Sequence, residues 1–411
     1  MITKFNNILP LRLNKTNGLH SGMTLLFLAL FAFPILPMKL TNGILMALAL
    51  LTLVSFFIKR IPIGKTLLWN LVFVLPFIPY LIELCIAGTQ PTVRFEFEKK
   101  IFFFTAPLII PMFIQITSFR NYQRALLVFA IAVSVLSLYA ATVLCWQGIL
   151  FNTSAYENGA YILRTQFEQI SGLHPTYYAL FALTSACFLW VKPASKNKWF
   201  YRVSIVLAVL LLSMVLMLAV RIAFVVGILL LLVYIVRSKG TKLRKWMMSA
   251  GVLLAILLIS VSVPSLRNRL SEMLSLDVGQ INNTNTMSQR MTIAHCSIEV
   301  FTDHLLWGTG SGNSQQVLND SYRAAGWTEG ATQNFNAHNQ YLSIGINYGI
   351  FMLLIFLMCL FVICRKIVQA PEGIYFCLAI LVFFLSESLL ERQMGVYFFG
   401  LLGLMFYNRA G

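Results

Sequence analysis

Charged side chains are scarce in this sequence, and their scarcity limits the class of protein that it can encode. Only 11% of the 411 residues are charged, whereas 58% are hydrophobic. A soluble domain could not bury so much apolar surface, and many segments reach the ~20 apolar residues needed to cross a bilayer. The short alternating strands of a membrane β-barrel are absent. The sequence therefore predicts an all-α polytopic membrane protein.

Sequence signals for metals, disulfides and secretion are also missing. The seven cysteines form no CxxC pair and show no metal-ligand spacing, so they support neither a disulfide framework nor a zinc site. The first 21 residues are polar and basic, and no cleavage site follows the first apolar run. We expect no metal, no other cofactor and no cleaved signal peptide.

Positive charge is abundant, at a formal net charge of +17, but its distribution argues against nucleic acid as a partner. Most lysines and arginines lie in short segments between apolar runs, and Glu372 is the one acidic residue in these segments. Such segments are typically cytoplasmic, so both termini are predicted to be cytoplasmic too. The predicted spans, about twelve, are 22–38, 40–58, 66–87, 101–118, 125–147, 174–191, 203–219, 221–236, 246–263, 339–364, 373–388 and 394–408.

The apolar run 203–236 is interrupted by Arg221. A single span of this length would be too long for a bilayer of ~30 Å and would reverse the side of every later loop. Two short spans that meet near Arg221 preserve the charge pattern and place this arginine at the outer interface. An arginine there either binds an anion held between spans or extends to lipid phosphate.

The topology divides the chain into three parts of one membrane domain. Residues 1–263 hold nine spans, residues 264–338 form a large extracytoplasmic loop, and residues 339–411 hold three spans. The loop contains arginine but no lysine. Because arginine binds phosphate and carboxylate groups through two parallel hydrogen bonds, this composition suggests recognition of such an anion.

Two features organise the loop. Apolar residues recur at spacings of three and four, which predicts an amphipathic helix on the membrane surface; they are Met287, Met291, Ala294, Ile298, Phe301 and Leu305. Arg290 lies on the first turns of this helix. The glycine-rich segment 308–313 follows, and it is typical of a tight turn, with backbone contact to a ligand as the alternative.

His338 is the strongest candidate for chemistry in the loop, because it lies where the tenth span begins. Asn336 or Ala337 would cap that helix. The helix N-terminus disfavours the imidazolium, so His338 is expected to be neutral and able to act as a general base. The alternative is an interfacial histidine that is hydrogen-bonded to loop backbone. His295 and His304 are predicted to be solvated.

Several other polar residues lie beside the predicted site, either in contact with substrate or in ordinary structural roles. Lysines and arginines here could simply be solvated, and the His174-Pro175 pair fits a helix start. Glu391 and Arg392 could pair with each other. These weaker candidates are Asn339, Arg323, His174, Lys99, Lys100, Glu391 and Arg392.

Four stretches in combination resemble the bacterial O-antigen ligase and polysaccharide polymerase superfamily. One is Arg221 between two short spans, and another is Ser288-Gln289-Arg290 leading into 303–313. The third is 338–342, His-Asn-Gln-Tyr-Leu, followed by Gly349. The fourth is the segment 386–392, Ser-Glu-Ser-Leu-Leu-Glu-Arg. The resemblance extends from about residue 170 to the end of the chain.

The resemblance implies a metal-independent glycosyltransferase of the inner membrane with its site at the periplasmic face. Its donor would be a glycan on undecaprenyl pyrophosphate, and its acceptor a hydroxyl group, with lipid A-core as the first candidate. The family's roles carry over to three residues of this chain. Arg221 and Arg290 would bind the pyrophosphate, and His338 would be the base of an inverting displacement.

Other functions fit the same sequence. A polymerase would use a second lipid-linked glycan as acceptor, and a protein O-glycosylating ligase would use a protein. A transporter of lipid-linked sugar is less favoured, because the sequence shows no internal repeat and its spans carry few charges. The sequence does not distinguish the acceptors.

Overall fold

The chain is helical, as the sequence predicts. The computed structural model describes residues 18–59, 68–117, 122–152, 157–191, 198–237, 241, 243, 246–247, 250 and 286–409. No β-strand occurs in these ranges. The predicted span 246–263 and the start of the large loop lie almost entirely outside them, so the total of twelve spans stays a prediction.

Short 3₁₀ segments cover Asn70–Phe73, Leu75–Phe77, Ile149–Phe151 and Leu389–Glu391. The α-helices of the described residues are α1 (Gly18–Leu30), α2 (Met38–Lys59), α3 (Ile78–Ala87), α4 (Pro91–Thr117), α5 (Tyr122–Trp146), α6 (Glu157–Ser171), α7 (Pro175–Val191), α8 (Lys198–Met217), α9 (Arg221–Arg237), α10 (Thr286–Asp303), α11 (Ser314–Ala324), α12 (Thr328–Thr332), α13 (Gln340–Ile367), α14 (Gly373–Phe384) and α15 (Gln393–Arg409).

Within the described residues, six helical segments are long and apolar enough to cross a membrane, and each overlaps a predicted span. They are Met38–Ile58, Asn70–Ala87, Pro91–Thr117, Tyr122–Trp146, Lys198–Met217 and Gln340–Ile367. Large apolar side chains such as Phe57 and Met358 are exposed on these helices, which is the arrangement expected where lipid is the solvent. The protein is therefore a polytopic helical membrane protein.

The apolar run around Arg221 is divided between two helices, as predicted. α8 ends at Met217 and α9 begins at Arg221. Between them, Ala219 has a φ of 47°, in the left-handed region that side chains other than glycine seldom adopt. Leu218 and Ala219 are both buried, so packing holds this turn without a glycine.

One helix on the extramembrane side was not predicted. α6 occupies a segment that the sequence analysis assigned to a connection between the fifth and sixth spans. Its Leu163 and Phe167 are buried, whereas Tyr161 and Ile162 are exposed. Because α6 is short and polar on average, it lacks the long apolar run by which spans are recognised.

The described part of the large loop forms a layer on one end of the helical bundle. α10, α11 and α12 pack around Tyr322 and Trp327, which are almost completely buried. The two rings lie 5.3 Å apart in an edge-to-face arrangement, which is a favoured geometry for aromatic pairs. The layer thus has a small core of its own.

The predicted amphipathic helix is present as α10, but its buried face differs from the predicted stripe. Met291 and Ile298 of that stripe are 42% and 51% exposed. Ile293, Cys296 and Val300, on another side of the helix, are buried in the loop layer. The helix therefore has two apolar sides. One packs against the rest of the loop layer, and the other remains exposed, as is expected of a helix that lies on a membrane surface.

α13 is broken near its beginning. Gly349 has φ 77° and ψ −175°, and a Cβ at this position would lie 2.2 Å from the carbonyl oxygen of Leu306. The break frees backbone groups that the loop then binds: the loop segment 305–310 forms backbone hydrogen bonds with Ile346, Asn347 and Ile350. The loop is therefore attached directly to the span.

The glycine-rich segment 308–313 forms a turn that binds a carboxylate of the protein itself. Glu83, near the end of α3, accepts hydrogen bonds from the Ser311 N–H at 2.9 Å and the Gly312 N–H at 3.0 Å. The hydroxyls of Ser311 and Tyr348 also donate to Glu83, each at 2.7 Å. Successive backbone N–H groups form an anion-binding nest, and Glu83 occupies this one.

Segments predicted to share the outer side of the membrane meet at one end of the bundle, which we call the loop side. Lys100 of α4 donates to the Leu390 carbonyl oxygen at 2.6 Å, and Tyr177 of α7 donates to that of Ser388 at 3.4 Å. At the opposite end, Arg409 pairs with buried Glu372 at 3.1 Å. Segments predicted to lie on the same side of the membrane therefore meet at the same end of the bundle, and the side that each end faces stays a prediction.

Candidate active site

A buried carboxylate, Glu387, joins two of the predicted site residues. It follows the end of α14, and its side chain is 6% exposed. Arg290 Nη2 lies 2.9 Å from Glu387 Oε1, and Arg290 Nη1 donates to the Ser386 carbonyl oxygen at 2.8 Å. His338 Nδ1 lies 3.2 Å from Glu387 Oε2. The structure thus brings Arg290 and His338 together through a residue to which the sequence analysis assigned no role.

The environment of Glu387 keeps this carboxylate ionised. Burial by itself would raise its pKa, but the hydrogen bond and charge of His338, together with Arg290, outweigh burial and lower the pKa to about 2. A buried carboxylate is stable only when it is paired in this way. Glu387 is therefore a permanent negative charge between two cationic or basic groups.

His338 does not begin a helix, in contrast to the prediction. The helix starts at Gln340, and its cap is Asn339, whose side-chain oxygen accepts the N–H groups of Tyr341 and Leu342. His338 has a φ of 43°, and its N–H donates to the Asn336 side chain at 3.0 Å. The environment of the His338 ring is thus set by direct contact with Glu387 and not, as expected, by the N-terminus of a helix.

Asn339 holds the two chain segments of the site together. Its N–H donates to Ser388 Oγ at 3.2 Å, and its side-chain NH₂ donates to the Leu385 carbonyl oxygen at 3.2 Å. Ser343 and Ser388 are also hydrogen-bonded, at 2.7 Å. These bonds fix His338 opposite Glu387, so the polar atoms of Asn339 are used within the protein.

Two further arginines accompany Arg290. Arg221 lies at the start of α9, and Arg164 lies on α6. Burial, followed by the nearby positive charges of Arg290 and Arg221, lowers the pKa of Arg164, and Glu387 acts in the opposite direction. Arg164 Nε is buried without a hydrogen-bond partner among the described residues. Three guanidinium groups from different parts of the fold thus share one electrostatic environment.

His174 shares the electrostatic environment of Glu387 and Arg392. Burial lowers the pKa of His174 to about 4, opposed by the charge of Glu387 and reinforced by those of Arg392 and Arg164. The Arg392 guanidinium lies 5.7 Å from the centre of the Tyr177 ring. Both residues were among the weaker candidates, and the structure places them near the Glu387 centre.

The predicted pairing of Glu391 with Arg392 is wrong. Glu391 pairs with Lys100 at 2.8 Å, and the side chain of Lys100 is fully buried. Lys99 pairs instead with Glu96 of its own helix. This network anchors the turn that follows Glu387, so contact between Lys100 and substrate would require an ion pair to open.

Arg323 is not brought to this centre. Its side chain is 55% exposed and pairs with Asp320, one turn earlier on α11. His295 and His304 are exposed on the loop layer, as predicted.

The centre carries more positive than negative charge. Arg290 pairs with the buried carboxylate Glu387. The charges of Arg290, Arg221, Glu387 and Glu168 act on Arg164, and those of Arg392 and Glu387 act on His174. Such a surplus of guanidinium groups at the surface of a membrane protein suits a ligand with several phosphate oxygens. The neighbouring His338 is oriented by a carboxylate, which is an arrangement of general bases.

Sequence reasoning missed Arg164 and Glu387 for different reasons. Glu387 is the one charged residue within the predicted span 373–388, and a charge inside a predicted span could have marked it as functional. Arg164 had no comparable signal, because it lies in a polar segment whose helix was not recognised.

The fold and this centre define a polytopic helical membrane protein with clustered arginines and a histidine in contact with a buried carboxylate at one end of the bundle. Residues 206–357 match the family described as O-Antigen ligase. The match confirms the resemblance to the O-antigen ligase superfamily, and it contains Arg221, Arg290 and His338 but not Arg164, His174 or Glu387. A search of curated proteins finds no match. The family suggests a glycosyltransferase-like enzyme.

Proposed function

We propose that this protein is an O-antigen ligase-type glycosyltransferase of the bacterial inner membrane. It would move a glycan from undecaprenyl pyrophosphate to an acceptor hydroxyl at the periplasmic face, with inversion and without a metal ion. The observation that carries the proposal is the Glu387 centre, in which one carboxylate contacts both Arg290 and His338. The family match over 206–357 supports the same class of reaction.

The arginines are assigned to the pyrophosphate. The family resemblance assigns this role to Arg221 and Arg290. We add Arg164 because the positive charges of both these residues act on its guanidinium group. As the bond between the anomeric carbon and the phosphate oxygen breaks, the electron pair passes to the leaving diphosphate. Guanidinium groups that are already in position stabilise that charge without reorganisation.

His338 is assigned the role of activating the acceptor hydroxyl. If Nδ1 carries the proton donated to Glu387 Oε2, Nε2 presents a lone pair. Nε2 takes the proton of the acceptor hydroxyl as its oxygen forms the new bond to the anomeric carbon. Glu387 orients the ring and stabilises the imidazolium that results, as the carboxylate of a catalytic triad does. Attack opposite the leaving group inverts the anomeric configuration.

The acceptor decides between the closest alternatives. Lipid A-core defines a ligase, a second lipid-linked glycan defines a polymerase, and a protein hydroxyl defines a protein ligase. A transporter of lipid-linked sugar is the alternative without catalysis. The Glu387 and His338 pair favours catalysis, because transport requires no oriented general base.

The test uses purified protein in nanodiscs with an undecaprenyl-pyrophosphate glycan, a chelator and no nucleotide. Each candidate acceptor is supplied separately, and the glycan is followed on a gel. We expect transfer of the intact glycan to lipid A-core by the wild type and loss of transfer in His338→Ala. A ladder of longer lipid-linked products would indicate a polymerase. Absence of turnover with every acceptor would contradict the proposed catalysis.

A further inference from the structure

His174 immediately precedes α7 and is held by the helix that it starts. The N–H of Thr176 donates to His174 Nδ1 at 3.3 Å. Pro175 is the first residue of the helix and has no N–H to donate. The imidazole therefore acts as a helix cap in the way that an asparagine or aspartate side chain does.

This cap fixes which ring nitrogen carries the proton. A nitrogen that accepts a hydrogen bond has its lone pair free, so the proton of the neutral ring is on Nε2. Burial lowers the pKa of His174 to about 4, and the ring is accordingly neutral at pH 7. His174 thus presents Nε2–H as a donor and has no free acceptor.

The surroundings of His174 belong to the Glu387 centre. Glu387, Arg392, Arg164 and His338 all contribute to the electrostatic potential at its ring. Tyr177, one turn along α7, contacts the ring edge-on with centroids 6.2 Å apart. The Tyr177 hydroxyl lies 3.4 Å from the carbonyl oxygens of both Ser388 and Leu389, which ties the start of α7 to the segment after Glu387.

A neutral donor and a cationic donor select different oxygen atoms. An anionic oxygen beside His174 would favour the imidazolium, whereas burial and the flanking arginines favour the neutral ring. The arginines already supply positive charge for the phosphates. An uncharged acceptor, such as a hydroxyl or an acetamido carbonyl oxygen of a sugar, matches a neutral N–H that is fixed in direction.

We propose that His174 is a sugar-recognition residue, whose Nε2–H binds an uncharged oxygen of the first sugar attached to the pyrophosphate. The inference rests on the proposed function for the identity of the ligand. It assigns no proton transfer to His174, so this histidine and His338 have separate roles. His174 positions the sugar while His338 acts on the acceptor hydroxyl.

Two substitutions separate the cap from the donor. In His174→Asn the side-chain oxygen can replace Nδ1 as the cap, but nothing replaces Nε2–H. In His174→Gln the side-chain NH₂ reaches the region of Nε2, but the cap is lost. A residue that only caps α7 would tolerate asparagine better than glutamine, whereas a sugar donor would tolerate glutamine better than asparagine.

The experiment measures the affinity of purified protein in nanodiscs for two probes, undecaprenyl pyrophosphate with and without its glycan. We expect His174→Asn to weaken binding of the glycan-linked probe about three- to tenfold, as expected for one neutral hydrogen bond, and to leave the sugar-free probe unchanged. His174→Gln should bind both probes nearly as the wild type does, although its melting temperature should be lower.

Several outcomes would overturn the inference. The proposed sugar contact would be refuted if His174→Asn bound the glycan-linked probe as the wild type does. It would also be refuted if both variants lost the same affinity, or if affinity fell equally for both probes. Binding does not require turnover, so these results remain informative if the transfer assay fails. Wild-type protein that binds the glycan-linked probe without transferring it would contradict the proposed reaction but not the role of His174.

Discussion

Arg290 and Glu387 are 97 positions apart in the sequence, yet their side chains form an ion pair at 2.9 Å. The pair connects the first turns of α10 in the large loop to the segment between the last two described helices. Because the same carboxylate contacts His338, a change at Glu387 should affect the base and the phosphate site together.

Replacement of Glu387 by glutamine should abolish most activity while the protein still folds. The amide cannot stabilise the imidazolium and can favour the wrong tautomer of His338, so kcat should fall by roughly 10²–10⁴-fold. Glu299→Gln is the matched control, because Glu299 is an exposed carboxylate in the same loop layer. Initial transfer rates and melting temperatures would be compared. A kcat near that of the wild type would refute the orienting role.

Arg164 should contribute to binding of the pyrophosphate. Because Arg164→Gln removes one charged donor, it should weaken affinity for undecaprenyl pyrophosphate roughly ten- to hundredfold, the effect of a charged hydrogen bond. Arg164→Lys should recover part of this loss. Arg323→Gln removes an exposed arginine that is paired with Asp320 and should leave affinity unchanged. If the Arg164 and Arg323 variants behave alike, Arg164 is not a ligand of the phosphates.

The left-handed turn before Arg221 predicts that replacing alanine by glycine has opposite effects on protein stability at Ala219 and at Ala208. Ala219 adopts a positive φ, so Ala219→Gly should stabilise the protein by about 1 kcal/mol. Ala208 lies within α8, so Ala208→Gly should destabilise it by about 1 kcal/mol. Thermal melting in one detergent compares them. Destabilisation by both variants would exclude strain at Ala219.

The lowered pKa of His174 predicts a pH dependence of stability. The unfolded chain takes up a proton near pH 6.5, whereas the folded protein does so only near pH 4. The unfolded state therefore binds more protons in this interval, and stability should fall as the pH is lowered from about 6.5 to about 4. His174→Asn lacks this titration, so its melting temperature should fall less than that of the wild type. Parallel melting curves across that range would contradict the assignment.

The open side of α10 predicts contact with lipid. Trp307 follows this helix, is 79% exposed and lies 6.3 Å from Phe351 at the start of the long part of α13. Because Phe351 continues the exposed apolar face of a span, brominated lipids should quench the fluorescence of Trp307. Trp307→Phe should therefore remove part of the quenching, whereas Trp327→Phe, which removes a buried tryptophan, should not. Equal fractional quenching in Trp307→Phe and the wild type would place Trp307 outside the membrane.

Features that depend on local sequence could be predicted. Six spans were recognised from apolar length, and the break at Arg221 followed from the length of its run and from the charges around it. The helix α10 was also predicted, but its buried face was not. Both sides of α10 are apolar, and sequence period alone cannot show which one packs against α11 and α12.

Features that depend on distant parts of the chain could not be predicted. The glycine-rich turn 308–313 has the same sequence signal whether it binds a ligand or a carboxylate, and only packing brings Glu83 to it. In the same way, the partner of Glu391 is decided by the position of Lys100 on another helix. Contacts between segments nearly 300 residues apart have no local signature.

The late position of Glu387 in the sequence has a consequence for biosynthesis. Arg164, Arg221, Arg290 and His338 are all translated before it, so a partly made chain contains the cations and the base without the carboxylate that joins them. The site cannot be assembled until α14 has entered the membrane. A ribosome-bound intermediate that ends before Glu387 would therefore contain the candidate base without the carboxylate that orients it.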